Sequence, residues 1–205
     1  MIRILLVFTL LVSTAACASV DPVKQRASLT EIEKSLAAEL ATGTWSSYQS
    51  KLKTERAALE KLGTNCAPAR TAALTGTLKA LCHQVTVGSY ALLTDLPLAD
   101  LKDGPDPASI AGDAATNAKP LCEQLGRNPY CPAINALAST LPLRRASAEL
   151  AAMAFSSAPD ASKATTYFQQ MHVTLRGDAF ANLPASSQPE AVSYTHLTLP
   201  TTPYV

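Results

Sequence analysis

Residues 28–40, SLTEIEKSLAAEL, decide the fold class, because Leu29, Ile32, Leu36 and Leu40 recur at intervals of three and four and so share one face of an α-helix. Ser28-Leu29-Thr30-Glu31 in front of that stripe reads as a capping box, which places a first helix at about 29–41, with Glu31 and Glu33 as first-turn charges favouring the helix dipole. The same periodicity continues outward. Gly43 closes the first helix, and Trp45, Tyr48, Leu52, Leu59 and Leu62 mark a second, whose polar face carries Lys51 with Glu55 and Arg56 with Glu60 at i, i+4 spacing. Leu74, Leu78, Leu81 and Val85 predict a third helix beginning at Pro68 and extending toward Leu93, with Thr75-Gly76-Thr77 as the point where it could break.

Leu98–Pro107 is dense in turn formers and divides the helical chain into two halves. Beyond it, Pro120, Asn128-Pro129, Pro132 and Pro142 predict short helices at 108–118, 120–126 and 132–139, followed by better ones at 143–156 and 160–176. Residues 181–191 have linker composition. Runs of alternating β-branched residues are lacking, so the expectation is all-α: an irregular bundle of about six to eight helices, stapled by disulfides, in one domain at 19–180.

At the amino end, Arg3, the apolar run Ile4–Val12 and the small residues up to Cys17 form a bacterial-type export signal over residues 1–18. Ser13-Thr14-Ala15-Ala16-Cys17 resembles the lipobox of bacterial lipoproteins, although Thr14 stands where that family usually has Leu. The resemblance implies a diacylglyceryl group on the Cys17 thiol and a membrane attachment through that lipid. It also implies a periplasm-facing address, and the non-acidic Ala18 resembles cargo sorted to the outer membrane. Ala16-Cys17-Ala18 also suits ordinary signal cleavage before Ser19. At the other end, Val192–Thr202, VSYTHLTLPTT, resembles a translated sequencing-library adapter, which makes residues 192–205 a non-biological tail and leaves any genuine continuation past Ala191 out of sight.

Arg3 is the only charge in the signal and tail, so the 17 basic and 16 acidic residues of the whole chain become a balance in the part between. The longest basic run is Arg144-Arg145. Nucleic acid is therefore not an expected partner, since phosphate binding draws on clustered Lys and Arg. With Cys17 set aside, Cys66, Cys82, Cys122 and Cys131 are an even set in a compartment that oxidises thiols, and two disulfides are expected. Their wide spacings do not suit structural zinc, and no metal or cofactor is expected. A continuous helix from Pro68 to Gln84 would hold Cys66 and Cys82 roughly 24 Å apart, too far to bridge. A break at Gly76 makes the local pairs Cys66–Cys82 and Cys122–Cys131 easy, so the local and crossed frameworks both stand.

Catalytic patterns are weak. His83 follows Cys82 without a partnering His or acidic motif, His172 lacks any i, i+4 metal-binding pair, and His196 falls in the tail. Ser89 lacks the second glycine of a nucleophile elbow. Trp45, Tyr48, Tyr90, Tyr130, Tyr167 and Phe168 are read as core packing in preference to a partner surface. The reading is a non-catalytic, envelope-anchored interaction or structural module with a possible envelope protein partner. The alternative is a soluble periplasmic domain that binds a small ligand or acts as an inhibitor in a cleft between helices.

Overall fold

A computed structural model of the chain describes residues 20–154, 156, 158 and 160–167. Among these residues the protein is all-α, with α1 Pro22–Thr42, α2 Trp45–Asn65, α3 Gly76–Leu93, a 3-10 turn at Leu98–Asp100, α4 Pro107–Leu125 and α5 Tyr130–Ala154. Residues 161–167 are also helical. The signal, Cys17, the linker and the adapter-like tail lie outside the described residues, as do Phe168 and His172.

The first helix starts earlier than its supposed capping box. Asp21 is the N-cap, its Oδ1 accepting from the backbone N–H groups of Val23 and Lys24 at 3.1 Å each, and Pro22 takes the first helical position, where its missing N–H costs nothing. Ser28 therefore sits inside the helix. Glu31 and Glu33 are mid-helix charges paired with Lys34 (3.0 Å) and Arg26 (2.8 Å). The stripe itself holds: Leu29 and Leu36 are buried, Ile32 is partly buried, and Leu40 emerges at the helix end. Thr44 and Ser47 form a reciprocal capping box that opens α2, and the Lys51–Glu55 and Arg56–Glu60 pairs close at 4.0 and 2.7 Å.

The third helix begins at Gly76, whose φ of 54° lies in the left-handed region where a Cβ is strained, and the preceding residues 67–75 are a chain of turns. The continuous helix from Pro68 is thus replaced by a broken one. Beyond Gly76 the helix runs to Leu93 through Val85-Thr86-Val87, β-branched residues that disfavour a helix weakly but here gain burial on every side. In α3, twelve of eighteen residues are buried, and it packs against α1, α2, α4 and α5 in turn. It is the axis of the bundle.

Two expected proline breaks do not occur. Pro120 lies within α4 and Pro142 within α5, so the helices predicted at 108–118, 120–126, 132–139 and 143–156 fuse into two long ones, and the helix count among the described residues falls slightly below the expected range. The apolar surface removed from water by these helices outweighs the one backbone bond each proline forfeits. Gly126, with φ 62°, ends α4, and Asn128 accepts from the Tyr130 N–H at 3.0 Å to start α5. Across that tight reversal Cys122 and Cys131 are disulfide-bonded, with their Cα atoms 5.6 Å apart. This link excludes the crossed framework.

Candidate functional site

Chemistry-bearing side chains gather at three places. The first is the segment following α3. Thr94 caps that helix through its hydroxyl, which donates to the Ala91 carbonyl at 2.6 Å, and Asp95 then turns inward until it is only 2% exposed. Its Oδ2 accepts from the Tyr48 hydroxyl at 2.5 Å and from Arg144 Nη1 at 3.0 Å, while its backbone carbonyl accepts from Gln49 Nε2 at 2.8 Å. Trp45 stacks on Tyr48 with ring centroids 5.0 Å apart. A carboxylate removed from water needs such a paired, hydrogen-bonded setting to stay charged.

The neighbouring arginine extends this network along α5. Arg145 Nη1 donates to the Leu96 carbonyl at 2.7 Å, Nη2 reaches Asp106 Oδ1 at 2.6 Å, and Glu149 lies 3.7 Å from Nη1. Glu149 in turn accepts from the Leu98 N–H at 2.8 Å. From the α2 side, Arg56 donates to the Asp100 carbonyl at 2.7 Å and Lys53 pairs with its carboxylate at 2.9 Å. Asp106 is the N-cap of α4 but makes no side-chain cap bond, because its carboxylate is committed to Arg145. Burial of Tyr167, with the negative charge of Glu149, raises that phenol, and Arg145 opposes the shift. The segment 94–106 is thus clamped between α2 and α5.

The second place is the pair Cys66 and Cys82. Cys66 is the C-cap of α2 and Cys82 lies in the second turn of α3; they are 2% and 1% exposed. Both are free thiols in one buried cluster. The neighbouring Cys82 thiol, with burial, holds the Cys66 proton firmly in place, and the neighbouring Cys66 pulls Cys82 down against its own burial. Of the four mature cysteines expected in disulfides, the structure joins Cys122 and Cys131 and places Cys66 and Cys82 in one buried cluster as free thiols.

The third place is the buried polar face of α3. His83 is 6% exposed, and desolvation, with a contribution from the Lys79 charge, lowers its pKa. Ser89 Oγ and Gln84 Oε1 are buried with no hydrogen-bond partner. Ser89 therefore has no imidazole positioned to activate it, and its neighbour Gly88 packs directly under Leu29. No cluster of three or more His, Cys, Asp or Glu side chains that could hold a metal occurs among the described residues, nor is any of their helices long and apolar enough to cross a membrane. Of the aromatic residues expected in the core, Trp45, Tyr48 and Tyr90 are there.

Sequence reading did not find the Asp95 centre. Its signal is present in Leu93-Thr94-Asp95-Leu96, an acid set between leucines, and in Arg144-Arg145, two adjacent cations on a helix with Glu149 as its one acid. No family model matches the chain, and no curated protein or solved structure matches it.

Proposed function

We propose that the chain is a helical lipoprotein of the bacterial envelope, facing the periplasm and serving there as a non-catalytic interaction or structural module. The export signal ending at Cys17 carries this reading. Two features of the fold support it. A disulfide between Cys122 and Cys131 suits an oxidising compartment, where such bonds persist. The Asp95 centre joins a carboxylate, a phenol, guanidinium groups and a backbone carbonyl in an arrangement that fixes a loop.

The test is fractionation of a bacterium expressing the full chain, combined with intact-mass analysis. Wild-type protein is expected in the membrane fraction with a lipid-modified Cys17 as its first residue. Cys17→Ser should move it to the soluble fraction. An unmodified amino terminus at Ser19 in soluble protein would overturn anchoring and favour a soluble ligand-binding domain.

A further inference from the structure

The interior of the amino-terminal core holds two thiols that the fold has brought together and left unlinked. Cys66 ends α2, Cys82 lies in α3, and the turns of residues 67–75, swung back by the left-handed Gly76, close the path between them. Both side chains are almost wholly buried as neighbours in one cluster with Leu59, Leu62 and Val85. Packing alone gives no reason for this pairing, since an apolar residue would fill either position without a donor to satisfy. Two neighbouring thiols in one buried cluster, able to close a short loop between them, have the arrangement from which a cystine forms.

We propose that Cys66 and Cys82 are a redox site: a second cystine of the chain, formed by thiol–disulfide exchange with a disulfide-bearing donor. One of the two attacks as the thiolate, breaking the donor disulfide and forming a mixed disulfide, and the first donor thiolate leaves and takes up a proton. The other thiol then gives up its proton and attacks the sulfur of the first. The protein disulfide forms and the second donor thiol departs. Two thiols of the chain are oxidised, one donor disulfide is reduced to two thiols, and two electrons pass to the donor. Burial of both sulfurs means that the core around them must open locally for the donor to enter. The oxidised state in the cell rests on the export reading above; the chemistry of the purified chain does not.

The mature chain recovered from cells is reduced and transferred to glutathione buffers of graded disulfide-to-thiol ratio. It is then quenched with acid, alkylated and mapped by peptide mass spectrometry. The expected product links the Cys66 and Cys82 peptides and is two hydrogens lighter than the reduced pair. Oxidation should raise Tm by about 6 to 12 °C in a Cys122→Ser/Cys131→Ser background, from closure of a ~15-residue loop. It should not do so when Cys66 and Cys82 are also Ser. Cys66→Ser and Cys82→Ser should each form no such link and carry glutathione on the remaining thiol of the pair. Full alkylation of both wild-type thiols after exhaustive oxidation, or a link from either to Cys122 or Cys131, would overturn the site. A link present in protein lacking lipid on Cys17 would refute anchoring alone, and lipidated protein whose pair never links would refute the redox site alone.

Discussion

The two sides of α3 are packed by different means. Toward α1 and α2 it meets large side chains, Leu29, Leu36, Leu52, Leu59 and Leu62, which are buried together with Val85 and Leu93. Toward α4 and α5 it meets Ala111, Ala114, Ala115 and Ala118, with Ile134, Leu137 and Leu141 as large exceptions. Alanine stripes let helices approach closely but take little apolar area from water, so this side has less hydrophobic stabilisation per residue. The reversal between α4 and α5 carries the disulfide, and the Asp95 clamp ties the joint between the two sides. Covalent and ionic constraints thus stand where apolar burial is thin.

This contrast makes graded demands on substitutions. Asp95→Ala should be the most damaging, about 3 to 5 kcal/mol, because it removes the buried carboxylate that the part-buried Arg144 guanidinium and the Tyr48 hydroxyl share. Urea unfolding that places the variant within 1 kcal/mol of wild type would show the joint to be dispensable. Next, Leu59→Ala should lose about 2 to 5 kcal/mol by opening a cavity, while Ala118→Leu on the other side should lose about 1 to 3 kcal/mol by overfilling a close helix contact. If Ala118→Leu proved stabilising, α4 would not be in close contact and the comparison would fail.

Cys122→Ser should cost about 2 to 3 kcal/mol through the short loop it reopens. Thermal melts with and without reductant check this, and wild type should respond to reductant while the variant's Cys122–Cys131 contribution is absent. The smallest expected effect is a pH dependence centred on His83. Burial lowers its pKa below the ordinary 6.5, so the unfolded chain binds a proton that the folded one resists. Its stabilising contribution is therefore complete above pH 6.5 and declines as pH falls below that value. His83→Gln should flatten the slope of stability between about pH 7 and 5; an unchanged slope would assign the effect to other groups.

The helical character and the Leu stripes were legible because a period of 3.6 is written directly in Leu29–Leu36 and Leu52–Leu62. Boundaries were less so. The Ser28 box and the Asp21-Pro22 start compete locally, and only the full helix length shows that Asp21 wins. Pro120 and Pro142 read as breaks because a sequence window cannot weigh a lost backbone bond against burial along a whole helix. The sequence left the cysteine pairing open between two frameworks that hinged on Gly76, and its positive φ resolves the geometry. The Asp95 centre was hidden because its partners Tyr48 and Arg144 come from elements far apart in the chain, and no local pattern joins them.

The position of α3 has a consequence for how the molecule can be divided. The turn-rich stretch before α4 separates two helical halves in sequence, yet α3 belongs to the first half and is covered by both. A fragment ending near residue 100 would retain the Leu-rich core but present Val87 and Ala91 to water, and the complementary fragment would lack the axis around which α4 and α5 are arranged. The halves are therefore obligate halves, able to recognise one another when severed: separately produced pieces should reassociate along that one exposed face of α3, as in fragment complementation.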